Sequence, residues 1–179
     1  MGVAYIVRRA NPEDVAKLPS LELAAAKRFE GMAVEPGVLA DATPTRMFED
    51  AQRDGRLWVA DVSGKVVGFA LTREVDGRLH LEEVDVLPEH GRRGIGSALV
   101  RTVCDAAGDR GLEAVTLTTF RDVPWNRPWY AALGFRELAD EEFGPELRAL
   151  VASEDAVGLR RDQRVVMRCD VKPVLPPDT

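Results

Sequence analysis

Long apolar stretches are missing from this sequence. No run of about 18 apolar residues is present to span a membrane as a helix. The first ten residues, MGVAYIVRRA, lack the apolar segment of a signal peptide. Ile6 stands where a myristoylation site requires serine or threonine. We therefore expect a cytoplasmic protein that does not bind membranes.

Cysteine is scarce, and basic residues are outnumbered by acidic ones. Cys104 and Cys169 are the two cysteines of the sequence, too few for a disulfide framework and not spaced as metal ligands. We expect both to be small core residues, and we expect no metal. The net charge of −6 argues against nucleic acid as the main partner.

The composition nevertheless suffices for a sizeable core. The 179 residues are 45% hydrophobic and 30% charged, which favours one globular domain. We expect this domain to cover residues 1–170 and to be followed by a proline-rich tail at 171–179. No internal repeat is present.

Glycine and proline divide the chain into regular elements. A strand at 5–10 is followed by a helix that starts with Asn11 as N-cap and Pro12, restarts near Pro19 and runs to about Phe29. Residues 57–86 predict an antiparallel meander of three strands. Residues 94–107 predict an amphipathic helix. The other predicted elements are helices at 45–55, 127–133 and 145–157 and strands at 114–120, 135–140 and 164–170.

The stretch VDVLPEHGRRGIGSALV, residues 84–100, joins the third meander strand to the amphipathic helix through a glycine-rich turn. It does not fit a Walker loop, because Ser97 replaces the lysine and Ala98 the magnesium-binding hydroxyl. It does not fit a dinucleotide fingerprint, because Leu99 occupies the third glycine position. What remains is a helix N-terminus that can bind a pyrophosphate without metal. Arg92 and Arg93 add positive charge there.

Two segments together resemble the GNAT superfamily of acyl-CoA-dependent N-acetyltransferases. That family's signature is V-x-P followed by [QR]-x-x-G-x-[GA]. Val86-Leu87-Pro88 matches its first part and Arg93-Gly94-Ile95-Gly96 its second, although Gly91 stands where the family usually has glutamine or arginine. The segment NRPWYAALGF, residues 126–135, is similar to the family's second cofactor segment. The order of strands and helices also agrees.

The resemblance implies an α+β GNAT fold. Its central sheet is mixed, mostly antiparallel, flanked by helices and splayed between the fourth and fifth strands. The implied co-substrate is acetyl-CoA, whose pantetheine arm pairs with the edge of the fourth strand, and no metal is required. The residues implied to bind it are Val84, Asp85, Val86, Gly91, Arg92, Arg93, Gly94, Ile95, Gly96, Ser97 and Asn126.

The resemblance also suggests catalytic residues. Tyr130 corresponds to the family's general acid, with packing on the cofactor or core as the alternative. His80 and Glu82 are the first candidates for the general base or the water-holding residue, and Glu83 is the next candidate. A salt bridge from this strand to Arg73 or Arg78 is the alternative for these side chains.

For Asn126, a hydrogen bond to the pantetheine and a helix cap both stay open. The resemblance further places acceptor specificity in residues 29–44 and 143–161. Three roles stay open for the helix at 145–157: packing at a homodimer interface, folding over the acceptor site, or covering the sheet. The implied function is acetyl transfer from acetyl-CoA to a primary amine of a small molecule or peptide. The alternative is a catalytically silent acyl-CoA-binding sensor or partner-binding module.

Overall fold

The computed structural model describes residues 4–29 and 42–172. Most of the segment 29–44 and the tail from residue 173 therefore lie outside the described residues. The strands β1 to β7 are Ile6–Arg9, Leu57–Val62, Lys65–Val75, Arg78–Val86, Ala114–Phe120, Arg136–Glu137 and Arg164–Asp170. The helices α1 to α6 are Pro12–Val15, Leu18–Ala26, Thr45–Arg53, Ile95–Asp109, Asn126–Ala132 and Pro145–Ala156.

The chain divides into two compact units. The first contains the described parts of residues 1–73 and 82–102, and the second contains those of 74–81 and 103–179. Both β4 and α4 contribute residues to each unit. The single domain over residues 1–170 stays a prediction.

In the first unit, three strands are joined by antiparallel ladders. β1 pairs with β2, and β2 pairs with β3. The turn between β2 and β3 has positive φ at Ser63 and Gly64, as a two-residue hairpin requires. Alternate residues of β2 and β3 form one core with α1, α2 and α3, where Phe48 packs edge-on against Phe69 at 5.3 Å. Asn11 is the N-cap of α1, as predicted.

In the second unit, β5 is the central strand. It pairs in parallel with β4 through Leu79–Leu81 and Val115–Leu117, and antiparallel with β7 along its whole length. β6 pairs with β7 through Arg136–Glu137, a shorter strand than the predicted 135–140. It ends there because the Ala139 N–H donates to the Glu142 carboxylate at 3.0 Å and the chain turns away.

Helix α6 covers part of the sheet in the second unit. Leu147, Leu150 and Val151 pack against a cluster that includes Val75 and Val166. The carboxylate of Asp76 holds the first turn of the helix, since it accepts hydrogen bonds from the N–H groups at 146 and 147, both at 3.0 Å. Of the three roles left open for this helix, covering the sheet is the one the structure shows.

The strand order is β1-β2-β3-β4-β5-β7-β6. The β4–β5 pair is parallel, whereas the β1–β2, β2–β3, β5–β7 and β6–β7 pairs are antiparallel. This is the mixed, mostly antiparallel α+β sheet predicted from the sequence. The β4–β5 ladder ends at Leu81 and Leu117, although the strands continue to Val86 and Phe120. A short ladder of this kind is what the predicted splay requires.

Candidate active site

A sharp turn connects β4 to α4 in the first unit. The Leu87 N–H donates to the Val67 carbonyl at 2.9 Å, which keeps the end of β4 beside β3. A short 3-10 helix, Pro88–His90, follows. Arg92 and Gly94 then have positive φ values of +57° and +80°. Because L side chains are strained in this conformation, glycine is the favoured residue at position 94.

The turn delivers the chain to the N-terminus of α4. The first helical hydrogen bond runs from the Ala98 N–H to the Gly94 carbonyl at 2.9 Å. The N–H groups of Ile95 and Gly96 precede it and are the groups that a helix presents to an anion. Residues 91–94 are exposed. Backbone donors, positive dipole and two exposed arginines therefore fit a diphosphate.

Gly91 is the departure from the family signature, and the structure shows that its backbone does not depend on glycine. Its φ of −61° and ψ of 158° are extended values that any residue adopts. A β-carbon there would lie 3.1 Å from the Pro88 carbonyl oxygen, a tight contact. The turn thus keeps its shape without the side chain usual at this position.

The end of β4 carries the backbone groups predicted to pair with pantetheine, at Val84, Asp85 and Val86. It lies unusually close to β3. A β-carbon on Gly68 would come within 2.7 Å of the Asp85 carbonyl oxygen and 3.1 Å of Val86 Cγ2. Gly68 was missed from the sequence, although an isolated glycine inside a strand indicates such a close approach.

Gly68→Ala is expected to destabilise the protein by about 1–3 kcal/mol, because the added methyl forces β4 away from β3. Thermal unfolding measures the loss. The comparison variant is Gly77→Ala, which has the strain of a positive φ of +68° that Gly68 does not have, but no atom within 4 Å of the new β-carbon. An unchanged melting temperature for Gly68→Ala would show that close packing at Gly68 is unimportant.

The buried side chain of Asp85 belongs to a cluster of three charged residues, the other two being Arg28 and Glu22. Asp85 is 3% exposed. One carboxylate oxygen lies 3.8 Å from Arg28 Nη2, just beyond the end of α2. Burial, opposed by Arg28 and reinforced by the charge of Glu22, raises the pKa of Asp85 to about 7. Sequence reasoning assigned only the backbone of this residue, so its side-chain environment was missed.

Glu22 is the second carboxylate of this cluster. It accepts hydrogen bonds from the Thr43 N–H and hydroxyl, both at 2.9 Å. Burial raises the pKa of Glu22 above its ordinary value, although both bonds from Thr43 act in the opposite direction. Two carboxylates with raised proton affinity therefore occur in the first unit.

The base candidates on β4 have partners of their own. Glu82 Oε1 lies 2.5 Å from Arg73 Nε, the salt bridge that the sequence left open as the alternative. His80, in the second unit, is 1% exposed, and its Nδ1 lies 2.9 Å from the Thr116 hydroxyl. Glu83 is half-buried. Their roles as base or water-holding residue stay predictions.

Tyr130 and Asn126 lie on α5 in the second unit. The Tyr130 ring is 4.7 Å from that of Trp129 and 5.7 Å from that of Phe135, and the residue is 9% exposed. Gly134 has a φ of +96°, and the Phe135 N–H donates to the Tyr130 carbonyl at 3.1 Å. This turn explains the spacing between the tyrosine and the Gly-Phe pair.

Asn126 is not the cap of α5. Trp125 occupies the N-cap position and Asn126 is the first helical residue, so the capping alternative is wrong. Asn126 itself is 9% exposed. The hydrogen bond from Asn126 to pantetheine stays a prediction.

Metal and membrane features were searched over residues 4–29 and 42–172. Within them no group of three or more His, Cys, Asp or Glu side chains could hold a metal ion. In the same residues, no helix combines the length and the apolar character that crossing a bilayer demands.

The sequence matches a known protein family over more than half of its length. The profile of the acetyltransferase (GNAT) family matches residues 26–135. Human N-acetyltransferase 8 is 35% identical over 111 residues, which cover 59% of this chain and 48% of that protein. The chain spans about half the length, or less, of the curated relatives it matches.

Solved structures share the fold at low identity. The ribosomal-protein-S18-alanine N-acetyltransferase of Escherichia coli has a TM-score of 0.67 and 17% identity, with 98% of this chain and 99% of that chain covered. The PaiA N-acetyltransferase of Thermoplasma acidophilum, solved with coenzyme A, has a TM-score of 0.69 and 14% identity, with 93% and 99% covered.

Proposed function

The chain belongs to the acetyltransferase (GNAT) family, and from this premise we propose that it transfers an acetyl group from acetyl-CoA to a primary amine of a small molecule or peptide. The observation that carries the proposal is the turn from β4 into α4. It presents helix N–H groups and exposed arginines where the family binds the diphosphate of its co-substrate. Relatives that are named N-acetyltransferases support the same reaction class.

Binding of acetyl-CoA is divided among three sets of groups in this proposal. The N–H groups of Ile95 and Gly96, with Arg92 and Arg93, hold the diphosphate. The backbone at residues 84–86 pairs with the pantetheine amides as an added strand would. The Asn126 amide supplies a further hydrogen bond to this arm. None of these contacts requires a metal.

The reaction needs one proton removed from the acceptor and one given to the leaving group. An alkylammonium has a pKa of about 10, so at neutral pH the acceptor must lose a proton before it can attack. The Tyr130 hydroxyl protonates the departing thiolate. Glu82 or His80 serves as base or water-holding residue for the acceptor; Glu82 is paired with Arg73, and His80 contacts Thr116.

Release of free CoA thiol across a panel of primary amines tests this function. The panel comprises monoamines, polyamines, amino acids and peptides with a free N-terminus or a lysine, assayed with a chelator present. We expect turnover with at least one class and an acetylated product by mass spectrometry. N-acetylated versions of the same amines are the matched controls and should give no release.

Two results would contradict the proposal. Tight binding of acetyl-CoA without release for any amine would favour the sensor that binds acyl-CoA without turnover. If calorimetry detected binding of acetyl-CoA only in the presence of magnesium, the turn would have to be interpreted as a Walker-type loop.

A further inference from the structure

The carboxylate of Asp85 is buried, and within the described residues its charged contact is one long ion pair with Arg28. Among residues 4–29 and 42–172, no hydrogen bond ends on this carboxylate, and its ion pair with Arg28 spans 3.8 Å. A buried ionised group without hydrogen-bond donors is costly, so a structural ion pair would be expected to close to a shorter distance. Within the described residues, Asp85 is therefore an acceptor held by one long ion pair.

Asp14 shows what a structural aspartate looks like in the same unit. It is also 3% exposed, but it accepts hydrogen bonds from Arg8 at 2.6 Å and from the Asn11 N–H at 2.8 Å. Burial raises the pKa of Asp14, but these hydrogen bonds outweigh it and the pKa lies below the ordinary value. At equal exposure, therefore, Asp85 retains a high proton affinity and Asp14 does not.

The location of Asp85 ties it to the reaction. Its backbone belongs to the three residues that we propose to pair with pantetheine, so its side chain branches from one wall of that proposed site. Its partner Arg28 is 40% exposed at the side chain and links the buried carboxylate to the surface. An incoming ammonium that displaced this guanidinium would donate a direct hydrogen bond to Asp85.

We propose that the Asp85 carboxylate binds the ammonium group of the acceptor and takes the proton that frees its lone pair for attack. This assignment rests on the proposed function and names a catalytic residue for it. Arg28 and Glu22 act as positioning residues, because they set the charge around Asp85. Neutral compounds such as alcohols would be poor acceptors, since they bring no cation to this carboxylate.

The proton balance is complete with groups already named. One proton passes from the ammonium nitrogen to Asp85, which later releases it to solvent. The N–C bond forms at the acetyl carbon as the C–S bond breaks, and the Tyr130 proton goes to sulfur. The proton that nitrogen loses on becoming an amide returns through water to Tyr130. Ammonium and thioester thus give amide, thiol and one released proton.

The proton affinity of Asp85 suits this role. With a pKa of about 7, Asp85 is half ionised at neutral pH, where a general base works best. An ordinary carboxyl near 3.8 would lie about six units below an alkylammonium, whereas Asp85 lies about three units below it. Charged groups on α2 and just after it face this carboxylate, Glu22 raising the pKa of Asp85 and Arg28 lowering it.

The test is the pH profile of kcat/KM for acetyl transfer to the fastest amine of the panel. For the wild type we expect the rate to fall as the pH drops through about 7, because Asp85 becomes protonated. Asp85→Asn should lower kcat/KM by about 10²-fold at neutral pH. Its residual rate should then rise in proportion to hydroxide, as the free amine becomes abundant. Acetyl-CoA affinity should change little, which also shows that the variant folds.

Two further variants distinguish a charge effect from a structural one. In the profile of kcat/KM against pH, the acidic limb is the fall in rate at low pH. Glu22→Gln removes a like charge and should move this limb to lower pH. Arg28→Gln removes an opposite charge and should move it to higher pH. A merely structural cluster would not give opposite shifts. Asp14→Asn is the matched buried control, and it should reduce thermal stability without moving the limb.

The outcomes separate this proposal from the proposed function. A wild type that turns over no amine overturns both. If the wild type is active and Asp85→Asn has the same pH profile, the assignment of Asp85 is wrong but the transferase function stands. The same holds if Glu82→Gln or His80→Asn alone removes the fall in rate at low pH. Shifts of the limb in the same direction for Glu22→Gln and Arg28→Gln would overturn it as well.

Discussion

Gly96→Asp is expected to raise the dissociation constant for acetyl-CoA by at least about 10²-fold. The new carboxylate would stand in the first turn of α4, where the diphosphate is proposed to bind. Like charges placed together at a binding surface cost several kcal/mol, and each 1.4 kcal/mol is a factor of ten in affinity. The side chain also blocks the close backbone approach that glycine permits.

The same substitution should not harm the fold, which makes the result easy to interpret. An acidic residue in the first turn interacts favourably with the helix dipole and stabilises the free protein by about 0.3–1 kcal/mol. Calorimetry should therefore show weaker binding of acetyl-CoA, whereas thermal unfolding of the free protein should show a higher melting temperature. A variant that lost binding because it misfolded would instead be less stable.

Gly96→Ala is the matched control for bulk without charge, and it should weaken binding much less than the aspartate. Gly94→Asp should weaken it as strongly, with an added loss of stability because φ at this position is +80°. A wild-type dissociation constant for Gly96→Asp would remove the turn from the proposed co-substrate site.

The order of elements could be predicted from the sequence because local signals determine it. Asn11 and Pro12 start α1, Gly55 closes α3, and the turns at Ser63-Gly64 and Asp76-Gly77 set the hairpins of the meander. The amphipathic stripe of α4 was also readable, since Ile95 and Leu99 are both buried as its period predicts. Each of these signals lies within a few residues of the element it controls.

The side-chain environment of the site could not be predicted, because it depends on contacts between distant segments. Alternation along β4 assigns faces to its residues, but it does not say that Asp85 meets Arg28 from beyond α2. The same limit applies to Glu82, for which Arg73 was one of two arginines considered. For Asn126, the error was local: α5 begins one residue earlier than the capping interpretation required.

Removing the Tyr130 hydroxyl should affect chemistry rather than binding. In Tyr130→Phe, the departing thiolate loses its proton donor, and general acid catalysis typically contributes 10²–10⁴-fold. We therefore expect kcat to fall by about 10²-fold or more while the dissociation constant for acetyl-CoA stays within about twofold of the wild type. Single-turnover kinetics and calorimetry measure the two quantities separately.

Comparison with Tyr130→Leu distinguishes the acid from a packing residue. Phenylalanine keeps the ring contacts with Trp129 and Phe135, at 4.7 and 5.7 Å, whereas leucine removes them. If the ring only packs, the phenylalanine variant should match the wild type and the leucine variant should lose stability, since aromatic pairs contribute about 0.5–1.5 kcal/mol beyond their buried area. If the hydroxyl is the acid, both variants lose turnover alike, and only leucine lowers the melting temperature. An unchanged kcat in Tyr130→Phe would assign Tyr130 to packing and require another donor for the thiolate.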